Sequence, residues 1–269
     1  MKTHIWSAVL ILLLITACNG TFEIGLEHTP VSPTSVLPST TPTLILPSSS
    51  PTLMPPSPTF QIVATTMPTP TNIALALGTT AAVEQGTIQP GQVVTYTLYA
   101  QQSQPLILLL GSPNNDVTLG VFEPNGSKLL DPANQWTRWE YLLPRTEMYT
   151  IQVIGGAMTE NYTLTIKVAQ VVNFAAGTTS ITLTGSTING YVFSYGLYCL
   201  AGQTMTASLN VSSSTAYIDI FGIASGTILG AAAKASTWTG VLQESQEYVI
   251  EVVPSNGQVV NYSLQVSIH

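Results

Sequence analysis

The feature that most constrains the fold is an internal repeat with a spacing of 99 residues. Three segments recur at this spacing, or at 100 near the C-terminus: 96–100 (YTLYA) with 195–199 (YGLYC), 149–153 (YTIQV) with 248–252 (YVIEV), and 161–164 (NYTL) with 261–264 (NYSL). Single residues such as Gln104 and Gln203, or Trp139 and Trp238, keep the same register. We therefore expect a tandem duplication of one domain.

Each copy shows the alternation of apolar and polar residues that is typical of β-strands. In the segment 193–199, for example, Phe, Tyr, Leu and Cys alternate with Ser, Gly and Tyr. Turn-forming Pro, Asn and Gly residues separate such segments, and no segment has convincing helical spacing of apolar residues. About eight short strands per copy predict an all-β protein with two tandem β-sandwich (jelly-roll-like) domains, at residues 76–170 and 171–269.

The N-terminus combines a short apolar run with a cysteine directly after it. An apolar run from Ile5 to Ile15 is too short to span a bilayer. The sequence ITAC follows at residues 15–18 and resembles a bacterial lipobox. The resemblance implies that residues 1–17 are a lipoprotein signal peptide that is removed and that Cys18 carries acyl chains, which anchor the protein at the extracytoplasmic face of the cell membrane. An ordinary secretory signal with an unrelated cysteine is the alternative.

Residues 18–75 have a composition of their own. Eleven of the 18 prolines lie between Pro30 and Pro70, and Thr and Ser fill the gaps. Because proline lacks a backbone donor and biases the preceding residue to extended conformations, we expect a disordered linker. An extended chain rises about 3.1 Å per residue, so the linker reaches on the order of 150 Å and can hold a head away from the membrane. The composition also resembles O-glycosylated stalks, and a tail without a spacer role is the alternative.

The charge of the chain excludes one class of partner. The chain has only 6 basic residues against 13 acidic ones, for a formal net charge of -7. Because binding to a nucleic-acid backbone depends on clustered lysines and arginines, we expect no nucleic-acid partner.

The first copy has a characteristic order of motifs: an early YTL segment at 96–98, Asp116 ahead of an apolar strand, and alternating segments that begin at Tyr149 and Tyr162. This order resembles that of the bacterial pre-peptidase C-terminal domain. The second copy departs from the pattern, because residues 215–216 are Thr-Ala where the aspartate would fall. The resemblance implies a β-sandwich fold and an accessory role in substrate binding, secretion or solubility.

Residues that ordinarily carry catalysis are sparse in the two copies. The three histidines are His4, His28 and His269, so a Ser-His-Asp or Cys-His arrangement lacks a base and a histidine-based zinc site lacks ligands. Cys199 belongs to the inward set of its strand, which favours a small buried thiol. No acid recurs as an acid at the matched position, and we therefore expect no catalytic site, no bound metal and no cofactor.

Two acidic arrangements remain as alternatives. Glu123 and Asp131 flank a Pro-Asn-Gly turn and could approach each other as a pair of carboxylates, although solvated loop acids are the simpler interpretation. Oxygen ligands for calcium cluster at Asn114, Asn115 and Asp116, although an Asn/Asp turn explains the same cluster.

Exposed aromatic residues are the candidate binding groups. Tyr99 and Tyr198 take outward positions in the same strand of the two copies. Trp136 has Ala235 opposite it in the repeat, so the fold does not require this ring. Flat rings stack on sugars or on the apolar surface of a protein. The alternative is that the tyrosines cover sheet faces or the contact between the two domains.

These features predict a lipid-anchored, non-catalytic binding module that recognises an extracellular or cell-wall glycan, or a secreted protein. Trp136, Tyr99 and Tyr198 are the predicted ligand-binding residues. A structural or accessory envelope subunit without its own ligand is the first alternative, and a hydrolase is the second.

Overall fold

The computed structural model describes residues 69–188, 190–212, 216–255 and 257–269. The predicted signal peptide, Cys18 and the linker up to residue 68 lie outside these ranges. In the described part, no helix has the length and apolar character needed to cross a membrane. The regular secondary structure of the described residues consists of 18 β-strands and two single turns of 3-10 helix, which confirms the predicted all-β fold class.

Strands of the first copy form two sheets. The strands are β1 (Thr71–Asn72), β2 (Ala81–Ile88), β3 (Val93–Ala100), β4 (Pro105–Gly111), β5 (Val117–Phe122), β6 (Lys128–Leu130), β7 (Arg138–Leu142), β8 (Glu147–Gly155) and β9 (Glu160–Val168). Sheet A has the order β1-β3-β8-β5-β6, and sheet B has the order β2-β9-β4-β7. The pairings are antiparallel, except that β1 runs parallel to β3.

The second copy repeats this arrangement. Its strands are β10 (Gln170–Val171), β11 (Ser180–Ser186), β12 (Phe193–Cys199), β13 (Thr204–Val211), β14 (Ala216–Gly222), β15 (Gly226–Leu229), β16 (Thr237–Val241), β17 (Gln246–Pro254) and β18 (Asn261–Ile268). Sheet C has the order β10-β12-β17-β14-β15, and sheet D has the order β11-β18-β13-β16. Each strand order is that of the first copy, strand for strand, and β10 runs parallel to β12.

The correspondence extends to single residues of the backbone. Single turns of 3-10 helix occur at Pro132–Asn134 and Ala231–Ala233. Each turn ends on a residue in the left-handed region, Gln135 at φ 54° and Lys234 at φ 49°. The sequence repeat therefore encodes a repeated fold. β1 pairs with β3 of sheet A, although it precedes residue 76, the predicted start of the first domain. The limits of the two domains stay a prediction.

Each pair of sheets encloses its own apolar core. In the first copy, the buried residues Leu98 and Ile151 of sheet A share a cluster with Leu164 of sheet B. The corresponding residues of the second core are Leu197, Ile250 and Leu264. Because side chains alternate between the two faces of a strand, the apolar period of two places these residues inside and their neighbours outside.

The two sandwiches pack against each other through sheet B of the first copy and sheet C of the second. Ile107 of β4 forms a buried apolar cluster with Ala169 and with Phe221 and Val249 of sheet C. The guanidinium carbon of Arg138 on β7 lies 5.2 Å from the centroid of the Phe221 ring, which is a cation–π arrangement. This packing creates the concave junction where the candidate site lies.

Candidate binding groove

A groove runs along the junction of the two copies. It consists of two adjoining concavities of about 390 and 410 Å³, which share Gly78, Gln170 and Phe193. Tyr99 lines the first concavity, and Tyr195 lines the second. Both volumes lie within the range of about 300–1,000 Å³ that is usual for small-ligand sites. We call the two concavities together the junction groove.

Every side chain that lines the junction groove is uncharged. Amide groups come from Gln101, Gln104 and Gln170, and hydroxyl groups come from Thr182 and Thr184 among others. These groups both donate and accept hydrogen bonds. The groove therefore offers neutral hydrogen bonds and aromatic faces to a ligand, and its lining offers no ion pair.

Tyr99 is directed to the groove by the alternation along β3. Its neighbours Leu98 and Ala100 are buried in the first core, whereas the Tyr99 side chain is 60% exposed. Across the sheet, Tyr99 is paired with the exposed Met148. The outward position predicted for Tyr99 is therefore the position observed, while its role in binding stays a prediction.

The turn that follows β3 is held by side-chain hydrogen bonds. The backbone N–H of Gln101 donates to Oε1 of Gln104 at 2.7 Å, and that of Gln102 donates to Oγ1 of Thr146 at 2.9 Å. Because the turn uses the amide oxygen of Gln104, the NH₂ group of this residue is the part that can donate to a ligand. The turn thus fixes one wall of the groove.

A hydrogen-bonded pair of tyrosines lies at the second concavity. The hydroxyl oxygens of Tyr195 and Tyr262 are 2.8 Å apart, and burial raises the pKa of Tyr195. The ring of Phe193 packs on Tyr195 with a centroid distance of 4.9 Å. A Cβ atom at Gly185 would lie 2.5 Å from the Tyr262 hydroxyl oxygen, so glycine is needed here to leave room for the pair.

The other predicted binding residues do not join Tyr99. Trp136 is 54% exposed and lies in the loop before β7. The carbonyl of the next residue, Thr137, accepts a hydrogen bond from the backbone N–H of Leu110, near the C-terminal end of β4. The groove lies at the other end of β4, next to Pro105. Five residues of extended strand place Leu110 about 17 Å from Pro105. Tyr198 is 62% exposed and lines a separate concavity of the second copy. Cys18 lies outside the described residues.

The acidic alternatives have structural partners in the described chain. Oδ2 of Asp116 accepts from the backbone N–H of Ala157 at 2.6 Å and of Met158 at 2.9 Å, which ties two loops together. Asp131 forms an exposed ion pair with Lys128 at 2.8 Å and accepts from the N–H of Ala133. Among the residues the structure describes, no group of three or more His, Cys, Asp or Glu side chains is arranged to hold a metal ion.

Three residues of the junction groove were not identified as functional from the sequence. The alternation assigns Phe193 to the inward set, whereas the structure leaves it half-buried at the groove. Gln170 and Gly185 carry no pattern that marks them as functional. The repeat offered one signal, because Gly185 has Gly86 as its mate, and a Cβ at Gly86 would likewise lie 2.9 Å from the hydroxyl of Tyr162.

Comparisons with known proteins find similarity in solved structures alone. No protein-family model matches the chain. No curated protein matches it. The resemblances to the lipobox and to the pre-peptidase C-terminal domain therefore stay predictions.

The similar solved structures contain β-sandwich-like domains. One is PliG of Aeromonas hydrophila, a periplasmic lysozyme inhibitor of g-type lysozyme, at 30% identity and a TM-score of 0.32, covering 38% of this chain and 96% of that one. PliG of Salmonella Typhimurium matches at 20% identity and 0.30, covering 36% and 95%. The CUB1-EGF-CUB2 domain of human MASP-1/3 matches at 8% identity and 0.23, covering 71% and 100%.

Proposed function

We propose that this protein is a non-catalytic binding module that holds a neutral extracellular glycan in the junction groove. The observation that carries the proposal is the uncharged lining of the groove, with Tyr99 and Phe193 at its wall. Sugar hydroxyls are matched by amide and hydroxyl groups, and the apolar faces of sugar rings are matched by flat aromatic rings. An anionic polymer finds no cation in this lining.

The N-terminal sequence supports a location for this module outside the cytoplasm, at a membrane. We infer from the lipobox-like segment at 15–18 that acyl chains on Cys18 anchor the protein at the extracytoplasmic face of a membrane. The Pro-rich linker that follows then lets the head reach a polymer tens of ångströms from the bilayer. A head of this kind anchors the cell or its envelope to a polymer without chemical turnover.

A secreted protein is the second candidate ligand. Tyr99, Met148 and Val93 are exposed on the outer face of sheet A, and Tyr99 is directly paired with Met148. Exposed apolar and aromatic side chains on one face favour contact with a protein surface. Trp136 is a further proposed contact, in the loop before β7 at the end of β4 that lies away from the groove.

The first experiment measures binding of the full chain in detergent micelles. The glycan probes are insoluble cellulose and chitin, and the protein probe is a g-type lysozyme, which three of the similar structures are described as inhibiting. We expect retention on a neutral glycan, and we expect Tyr99→Ala and Phe193→Ala to reduce that retention at least tenfold. Retention on lysozyme alone would replace the glycan by a protein partner.

Matched variants locate the site. Tyr141→Ala removes a partly exposed tyrosine of β7 outside the groove, and we expect its retention to equal that of the unmodified chain. If Trp136→Ala lowers retention while Tyr99→Ala does not, the site lies at the loop before β7 and the groove is not used. If no probe is retained, the alternative of a structural envelope subunit gains support.

A further inference from the structure

The second copy has a concavity at the position equivalent to the first part of the junction groove. Its volume is about 220 Å³. Five lining positions of the junction groove recur in it at a spacing of 99, and a sixth recurs at 100: Leu75 as Phe174, Thr79 as Thr178, Thr80 as Thr179, Tyr99 as Tyr198, Gln104 as Gln203, and Val168 as Ile268. We call this concavity the second-copy groove.

The walls of the two grooves are built by the same hydrogen bonds. Oγ1 of Thr79 donates to the carbonyl of Ala76 at 2.8 Å, and Oγ1 of Thr178 donates to Ala175 at the same distance. The N–H of Leu200 donates to Oε1 of Gln203 at 2.6 Å, as that of Gln101 does to Gln104. The matched threonines and glutamines therefore have a structural reason to recur.

The matched tyrosines have no such reason. Tyr198 is 62% exposed and Tyr99 is 60% exposed, so neither ring fills a core. Their inward neighbours Leu197 and Leu98 already supply the packing at these strand positions. A large apolar ring kept in water at the same place in both copies favours a role in contact with a ligand.

The two grooves differ in how they are closed. Phe193 and Gln170 of the second copy wall the junction groove, whereas residues of the second copy alone line the second-copy groove. The second-copy groove has Phe174 where the first has Leu75, so it presents two rings, as the first concavity of the junction groove does with Tyr99 and Phe193. Because the second-copy groove is smaller and lacks a wall from the other copy, we expect it to bind the same class of ligand with lower affinity.

We propose that the second-copy groove is a second binding site for the same neutral glycan, with Tyr198 as its stacking ring. This inference rests on the function proposed for the junction groove. Two sites on one head bind a long polymer together, because the second binding event is intramolecular. The duplication then strengthens attachment to a polymer without improving either site.

The test observes each ring separately. The full chain carries 3-fluorotyrosine and is titrated with cellohexaose and with chitohexaose, followed by ¹⁹F NMR. The resonances of Tyr99 and Tyr198 are assigned from the variants Tyr99→Phe and Tyr198→Phe. Tyr141 lies outside both grooves and gives the reference resonance.

We expect both groove resonances to shift with one of the sugars, the Tyr99 resonance at lower concentration, while Tyr141 stays constant. A shift of Tyr99 alone overturns the second site and leaves the proposed function intact. A shift of Tyr198 alone supports the second site and removes the junction groove. Constant resonances for both tyrosines with both sugars overturn both proposals.

Retention on the matching insoluble polymer gives an independent measure of bivalency. Because linked sites gain affinity on the order of 10²–10⁴ over single sites, Tyr198→Ala should weaken retention on the polymer at least tenfold. The same variant should leave the affinity of the Tyr99 site for the hexasaccharide unchanged. Equal loss in both measurements would mean that Tyr198→Ala disturbs the whole head, and it would remove the support for a separate site.

Discussion

The ammonium group of Lys167 on β9 donates hydrogen bonds to both carboxylate oxygens of Glu251 on β17, each at 2.8 Å, and so joins the two copies. Both side chains are buried, with 10% and 3% of their surfaces exposed. The hydroxyl of Ser194 donates a further bond to Glu251 at 3.1 Å. The repeat positions that correspond to this pair are the uncharged Ser267 and Gln152, so the ion pair is specific to the junction.

The buried ion pair leads to a prediction about stability. Lys167→Met leaves the carboxylate of Glu251 buried without its cation, and we expect a loss of about 3–5 kcal/mol in the free energy of unfolding. The double variant Lys167→Met/Glu251→Leu removes both charges, and we expect it to lose less than the single variant. Urea unfolding of the four proteins in the cycle measures the coupling. Additive effects would show that the two charges act independently.

The two cores provide matched substitutions. Leu98→Ala and Leu197→Ala each remove a buried side chain at equivalent positions, and we expect each to cost about 2–5 kcal/mol through lost burial and a residual cavity. Thr237→Ala, at an exposed position of β16, is the control and should stay within about 0.5 kcal/mol. Urea unfolding measures all three. A negligible effect of either leucine variant would contradict the assigned core.

The strands and the inward residues were predictable because period-two alternation reports directly on which side chains a core must bury. Leu98 and Ile151 are examples, and their mates Leu197 and Ile250 follow from the repeat. The backbone recurs even where the residues differ, as at the turns that end on Gln135 and Lys234.

The packing of one copy on the other is indicated by sequence features other than period-two alternation. β4 (PLILLLG) is a nearly continuous apolar run, whereas its counterpart β13 (TMTASLNV) alternates. A strand buried on both faces has such a run, so β4 marks the face of the first copy that meets the second. Gly196 is a second signal, because it stands in mid-strand where the first copy has Thr97, and a mid-strand glycine marks a close approach of another chain segment. In the structure, a Cβ at Gly196 would lie 2.7 Å from Cγ of Pro105 in the other copy.

The junction groove could not be predicted without that stacking. Phe193 and Gln170 are distant from Tyr99 along the chain, and they reach the same concavity only because sheet B packs on sheet C. The sequence of one copy does not reveal which residues of the other copy line the groove. The exposed rings Tyr99 and Tyr198 could be identified, since their outward position depends on one strand alone.

The anchor is tested separately from the head. Cys18→Ala removes the thiol that the lipobox resemblance assigns to acylation, and we expect loss of fatty-acid attachment and an uncleaved or mislocalised precursor. Metabolic labelling with a fatty-acid analogue, followed by membrane fractionation, measures both. Cys199→Ala is the control, because Cys199 is buried and its burial raises the pKa of the thiol to about 12. Undiminished labelling of Cys18→Ala would disprove the lipoprotein assignment.

A second buried acid at the junction predicts a dependence of stability on pH. Glu247 lies beside Gly196 and Pro105, and within the described residues its Oε1 atom has no hydrogen-bond partner. Burial raises the pKa of Glu247 from 4.5 to about 7. The nearby thiol of Cys199 stays protonated throughout this range, because burial and then the charge of Glu247 raise its pKa to about 12.

The sign follows from the two pKa values of Glu247. Because the folded state keeps the proton up to about pH 7 while the unfolded state releases it near pH 4.5, the free energy of unfolding falls as the pH rises between these values. A shift of this size corresponds to about 3 kcal/mol. Glu247→Gln keeps the uncharged form at every pH, so it should be more stable than the unmodified chain at pH 8 and equally stable at pH 4. Urea unfolding of both proteins across this range isolates the contribution of Glu247 from that of the other acids, and parallel stability curves would show that its carboxyl group titrates normally.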